Sequence, residues 1–259
     1  MRDYLQPHFQ PIVAHNGKIY AFEAFMRLAG DLSGTARFVP RWERTSLIGT
    51  AEISMLELVR GMVSNPALHG RLRIHINISE FSIATGYKKI TEELKRTLPF
   101  TKSITVELPQ TAARNTYQKL TEFVQLCNYN QISIALDGAE LNMEFTDKSI
   151  IETIKPGYIK IDCKHLMEMR EKGRFDDLIQ AIENASSIGV NTIVKNIESE
   201  EGHKAAILVG AKLFQGRHFY HEGTTISPDS LNEPPVAKKV EDQPASTVRL
   251  TRVLAPVRN

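Results

Sequence analysis

Glu23, Asn77, Glu107 and Asp137 are the residues of this chain whose chemistry is most specific. Each stands at or just after the end of an apolar run. Carboxylates with an amide carbonyl make a ligand set for a hard cation, Mg²⁺, Mn²⁺ or Ca²⁺, rather than for zinc. An ion held there could stabilise charge on a phosphodiester and activate a water. Lys160 with Asp162, Lys195 and Gln215 close three further runs in the same way. The eight histidines, His8, His15, His69, His75, His165, His203, His218 and His221, show no zinc-like spacing along the sequence. No Ser/His/Asp order and no phosphate-cradling glycine loop is visible.

The elements that must position these residues follow from periodicity. Strands are expected at Phe9–Val13, Ile19–Phe25, Leu72–Ile78, Ile104–Leu108, Ile132–Leu136, Tyr158–Ile161 and Thr192–Val194, with a weaker one near Lys212–Phe214. Helical spacing appears in Leu56, Val59 and Val63, in Leu120, Phe123, Val124 and Cys127, and in Leu178, Ala181, Ile182 and Ala185. Gly189 is expected to end a helix in the left-handed conformation, and Asn130 to do the same before Ile132. About eight strands alternating with helices give an α/β fold, either a (β/α)₈ barrel or a doubly wound sheet. The barrel is favoured, because in a barrel all the C-terminal strand ends meet at one mouth.

Composition fits a soluble globular chain. It has 259 residues, 42% hydrophobic and 24% charged. The net charge of +2 and pI near 8.4 give no basis for direct nucleic-acid binding. The densest cationic stretch, Lys88-Lys89 with Lys95-Arg96, is interleaved with Glu92-Glu93 and reads as a solvated helix face. Cys127 and Cys163 are expected as buried free thiols. No apolar leader and no membrane span is seen, so a cytoplasmic location is expected. The barrel domain is placed at 1–226. Residues 227–259 carry five of the twelve prolines and read as a tail, flexible or docked. Within it Val248–Val253 alternates and could add a strand or dock as a peptide.

Over roughly residues 5–221 the sequence resembles the EAL family, the bacterial phosphodiesterases that open cyclic di-GMP. Phe9-Gln10-Pro11-Ile12-Val13 with Glu23-Ala24-Phe25-Met26-Arg27 is similar to QPIV…EALLR. Phe38 to Ile48 is similar to FIPLAEETGLI, and His75-Ile76-Asn77-Ile78-Ser79 to VNLS. Val106-Glu107-Leu108 matches half of ExTE, Ala135-Leu136-Asp137 the start of ALDDFGTG, and Tyr158 to Asp162 the YLKID segment. Val194 to Glu201 sits where the family has AEGVETEE, and Gln215-Gly216-Arg217 where it has QGY. The resemblance implies a TIM-like barrel of the EAL type. It implies metal binding by Glu23, Asn77, Glu107 and Asp137, and ligand contacts from Gln10 and Arg27, the arginine on a phosphate. It makes Lys160, Glu198 and Gln215 remnants of the catalytic centre.

Departures from the pattern set the functional expectation. Gly138 replaces the aspartate that binds a second metal, and Lys195 replaces the glutamate implicated as general base. Gln110 replaces the second glutamate of ExTE, Phe25 the leucine of EAL, Leu28 the tryptophan after the arginine, and Ala139–Asn142 the FGTG loop. Three carboxylates in one mouth repel one another strongly unless a cation intervenes. Lys195, with Lys160 nearby, could supply that charge, but a protonated amine is no base and no Lewis acid. The chain is therefore expected to be a degenerate, catalytically inactive regulator that binds another protein, such as a transcription factor. The alternatives are a cyclic di-GMP receptor without turnover and a weak phosphodiesterase. No cofactor is required on this reading, although a single Mg²⁺ or Ca²⁺ could occupy Glu23, Asn77, Glu107 and Asp137.

Overall fold

The computed structural model describes residues 1–30, 37–109, 117–138 and 153–231. Eight strands close into one barrel in the order β1 to β8. They are β1 (Leu5–Ala14), β2 (Ile19–Leu28), β3 (Arg73–Asn77), β4 (Ser103–Pro109), β5 (Ser133–Asp137), β6 (Tyr158–Asp162), β7 (Asn191–Lys195) and β8 (Leu213–Gln215). The helices are α1 (Val39–Arg44), α2 (Ile48–Val63), α3 (Glu80–Thr97), α4 (Tyr117–Tyr129), α5 (Cys163–Glu171), α6 (Phe175–Ser187) and α7 (Glu200–Leu208).

Every strand expected from the sequence is present, but the barrel is not uniformly parallel. β1 runs antiparallel to both of its neighbours, β2 and β8. The cause is the length of the first connection. Residues 15–18 form a tight turn, and a parallel crossover needs a dozen residues or more. The remaining neighbours, from β2 round to β8, pair in parallel.

Period-two alternation sorts each strand into two faces. Ile74 and Ile76, Ile104, Val106 and Leu108, and Ile134 and Leu136 join one apolar cluster with α2, α3 and α4. Ile159, Ile161 and Val194 join a second with α5, α6 and α7. The alternate residues point into the barrel. At its base Ile12, Ala21, Ile193 and Leu213 form a small apolar plug. Above it comes a polar layer of Glu23, His75, Glu107, Lys160 and Gln215, all buried. The barrel thus has a dry floor and a charged upper storey.

Several helices are started by side-chain caps at the upper rim. The side chains of Ser79, Asp162 and Ser199 accept from backbone N–H groups of α3, α5 and α7. Such a cap satisfies a donor that the helix itself cannot. Gly189 follows α6 with φ of 84°, as expected. Before β5 the left-handed residue is Gln131, with φ of 59°, and not Asn130. Asn130 instead turns its side-chain amide back to the Leu126 carbonyl at 2.7 Å. This is the local side-chain-to-backbone bond that lets Asn close a helix without changing its own φ.

The cations of the α3 stretch and Glu92 lie on the solvated face expected, but Glu93 is buried. Lys88 and Lys89 are exposed, Lys95 pairs with Glu92 at 3.0 Å, and Glu93 is shared by Arg60 and Arg96. Cys127 and Cys163 are buried free thiols, and burial pushes the Cys127 thiol up to about 12. Among the described residues no helix is long and apolar enough to cross a membrane. Of the segment expected as a tail, Pro228–Leu231 forms a short 3₁₀ turn whose Leu231 packs against the core. Residues 232–259, with the alternating Val248–Val253, lie outside the described residues, as do Gln110 and Ala139–Asn142.

Candidate functional site

The site is assembled around one buried ammonium. Lys160 projects from β6 and is fully buried. Its Nζ donates to Glu23 Oε2 at 2.5 Å and to both oxygens of Glu107 at 2.8 Å. Burial alone would drive the proton off. The carboxylates of Glu107, Glu23 and Asp137 outweigh it and hold the ammonium above the ordinary lysine range. Conversely, burial would raise the Glu107 carboxyl, but Lys160 and His75 keep it below the usual value.

Each of the four glutamate oxygens has at least one partner. Glu23 Oε1 accepts from Asn77 Nδ2 at 2.7 Å, and its Oε2 also accepts from Gln215 Nε2 at 2.8 Å. His75 Nδ1 lies 2.9 Å from Glu107 Oε1. The strand register explains the convergence. Glu23 stands beside His75, and Asn77 beside Glu107, in adjacent strands. Glu23 itself lies in the middle of β2, not at its end, because β2 continues to Leu28.

Asp137, at the end of β5, stands higher and wetter. Lys195 Nζ sits 2.6 Å from its Oδ1 and 2.9 Å from its Oδ2. The Gly138 N–H donates to Oδ1 at 2.8 Å. Lys195 comes from the end of β7, and the next residue, Asn196, has φ of 58°. Asparagine tolerates that left-handed conformation better than most side chains. This explains how it replaces the glycine that the EAL pattern carries there. Asn196 Nδ2 also donates to Asp162 Oδ2 at 2.6 Å, which fixes the turn.

These residues open upward into a cleft of about 490 Å³. Its lining includes Gln10, Glu23, Phe25, Asn77, Glu107, Asp137, Gly138, Lys195 and Gln215, so the sequence-derived set converges on one mouth. Gln10 uses its Nε2 to hold the Tyr220 carbonyl at 3.1 Å. Lys160 lies buried beneath the lining, and two members of the set stand apart. Glu198 lies outside the lining and pairs with Arg217 on the exposed surface. Arg27 is also outside it. Its guanidinium grips Glu222 with two bonds, of 3.0 and 2.6 Å, and lies over the Phe25 ring at 5.1 Å. This bidentate pairing occupies the fork that the EAL pattern assigns to a phosphate.

Sequence reading missed Glu52 and Glu222. Glu52 lies on the buried face of α2 beside Met55 and Leu56, and lines the cleft. Burial pushes its carboxyl up to about 7, against hydrogen bonds from Ser82 and Ser79. Its Oε1 accepts the Ser79 N–H at 2.9 Å, while Oε2 is buried without a hydrogen-bond partner. A carboxylate among helix-spaced apolar residues was the available signal. Glu222 carries none, because it meets Arg27 only through the fold.

The donor set fits one hard cation on chemical grounds, since three carboxylates and the Asn77 amide side chain meet at the mouth. Fit comes with a condition. Lys160 already neutralises Glu23 and Glu107, and Lys195 covers both oxygens of Asp137. An ion that used Asp137 would have to displace Lys195. Replacing Lys195 with alanine is therefore expected to lower stability by about 1–2 kcal/mol, between the values for exposed and buried pairs. In a chain of this size the melting temperature should fall by roughly 2–8 °C. Mg²⁺ should restore most of the loss by binding the native state, which is worth about 2.7 kcal/mol at a hundred times Kd. Thermal melts with and without Mg²⁺ check this, and identical melts for both proteins would refute it.

The EAL domain family matches residues 2–222, and the chain belongs to that family. No curated protein sequence matches it. Solved structures share the fold. One is a Vibrio cholerae LapD fragment bound to cyclic di-GMP, 20% identical over 83% of this chain and 53% of that chain, TM-score 0.72. Another is Klebsiella pneumoniae BlrP1 in a calcium and cyclic di-GMP complex, 15% identical over 85% of this chain and 56% of that one, TM-score 0.72. A third is the Bacillus subtilis YkuI protein, with an EAL domain, in complex with cyclic di-GMP and calcium. It is 18% identical over 87% of this chain and 57% of that one, TM-score 0.70. The present chain spans just over half the length of those three chains.

Proposed function

We propose that this chain is a catalytically inactive EAL-domain regulator that acts in the cytoplasm by binding a regulatory protein such as a transcription factor. The observation that carries the inactive part is Lys195, seated on both oxygens of Asp137. An ammonium supplies charge there but neither a Lewis acid for the phosphoryl oxygen nor a base for water. Gly138 offers no side chain to a second ion. Arg27 is committed to Glu222, which argues for a protein partner rather than a nucleotide one.

A second reading, a cyclic di-GMP receptor without turnover, is favoured by the cleft itself. It is large enough for a small ligand, and Gln10, Asn77 and Lys195 line it. A calorimetric titration of cyclic di-GMP, with and without Mg²⁺, separates the two. Saturable heat without product supports the receptor, and no heat supports the protein-binding regulator. In either case incubation with Mg²⁺ or Mn²⁺ is expected to give no linear product. Linear product formed at rates typical of the family, and abolished by Glu23→Ala, would overturn the proposal of inactivity.

A further inference from the structure

We propose that Glu200, His203 and His218 form a binding site for a borderline divalent transition-metal ion, zinc above all. The site sits at the rim of the barrel, away from the buried carboxylates. None of the three lines the cleft. Among the described residues this is the one group whose His, Cys, Asp or Glu ligand atoms close together, all within 4.8 Å of one another. Glu200 and His203 are three apart on α7 and so share a face of the helix. His218 comes from the turn after β8. That turn is pinned to the loop before α7 by two backbone bonds of 3.0 Å, Ile197 N–H to Gln215 and His218 N–H to Ile197.

One ligand pair already has the spacing the ion needs, and the third ligand atom lies within 4.8 Å of both. Zinc bonds of about 2.1 Å at tetrahedral angles place neighbouring ligand atoms roughly 3.4 Å apart. His218 Nε2 stands 3.4 Å from Glu200 Oε2. That Glu200 oxygen is buried and accepts no hydrogen bond, while Oε1 turns outward toward Lys204 at 3.8 Å. The His203 ring is held edge-on between Phe214 at 5.0 Å and Phe219 at 4.8 Å. His218 is itself buried and packs edge-on to Phe219. Aromatic walls of this kind fix ring orientation before an ion arrives, which lowers the cost of binding. Two imidazoles and one carboxylate suit zinc, copper or nickel rather than Mg²⁺ or Ca²⁺. Three protein ligands leave a fourth position on the solvent side, where Glu200 is partly exposed.

The test is zinc titration of the untagged full chain by calorimetry, with cobalt absorption reporting coordination geometry. One zinc per chain is expected, with a tetrahedral cobalt spectrum. Glu200→Gln and His203→Gln should each weaken binding about tenfold or more, since even loss of a ligand's supporting contact costs that much. Glu200 is partly exposed, so Glu200→Gln keeps the fold if His203→Gln loosens the aromatic packing, and melting curves verify it. Asp137→Asn should leave zinc affinity unchanged. Absence of zinc binding, affinity unchanged in both ligand variants, or loss of zinc in Asp137→Asn would each overturn the proposal.

Discussion

Lys160→Met is expected to be among the most destabilising single substitutions in this protein, costing about 3–5 kcal/mol, the range for removing one partner of a buried ion pair. In a chain of this length that lowers the melting temperature by roughly 10 °C or more. Methionine fills the space of the lysine stem, so packing is largely kept and the loss is electrostatic. It leaves Glu23 and Glu107 buried, close together and without their cation. The pH dependence has a definite sign. In the native protein the Glu107 carboxyl is held below its ordinary value, so its contribution is present above the unfolded value near about 4.3 and is lost as the pH falls through the folded one. In the variant, burial without the Lys160 cation raises the folded value of Glu107 instead of lowering it. Its contribution then survives only at low pH and is lost as the pH rises through the raised value. The gap in melting temperature between the two proteins should therefore narrow from pH 8 to pH 5. A gap that stays constant would mean that Lys160 acts through its packing alone.

The strands were legible because their apolar runs are short, β-branched and punctuated, and because outward residues such as Ile74, Ile76, Val106 and Ile134 alternate with inward polar ones. The convergence of Glu23, Asn77, Glu107 and Asp137 was legible because parallel strands carry their C-terminal ends to one place. The direction of β1 is written in the brevity of residues 15–18, too short for a parallel crossover. Charge balance called for a cation such as Lys195 beside Asp137 or Glu107, since clustered carboxylates repel, but only the fold decides that its partner is Asp137. The pairing of Arg27 with Glu222 was not legible, because the partners are 195 positions apart and no periodicity links them. His203 and His218 likewise meet across the α7 and β8 junction, where spacing along the chain says nothing about distance.

Restoring Gly138→Asp and Lys195→Glu together is expected to create a metal site without creating an enzyme. Sterically the change is open, since a Cβ at position 138 meets nothing within 4 Å. The φ of 75° there disfavours most side chains, but aspartate tolerates it at modest cost. The double variant removes one positive charge and adds two negative ones beside Asp137. Without a divalent ion it should therefore melt below the parent protein, and Mg²⁺ should raise its melting temperature far more than it raises the parent's. Turnover needs more than ligands. The phosphate must be held in line with the attacking water, and a misplacement near 1 Å costs about a hundredfold in rate. Arg27, which the EAL pattern assigns to the phosphate, remains locked in its bidentate pair with Glu222. Phe25 remains beneath it, with its ring under the guanidinium. Cyclic di-GMP hydrolysis by the double variant at saturating Mg²⁺ is thus expected to stay at least about a hundredfold below family-like rates. Robust activity would instead place this chain two residues from an active phosphodiesterase, and the rebuilt Arg27–Glu222 contact would then be no obstacle to the substrate.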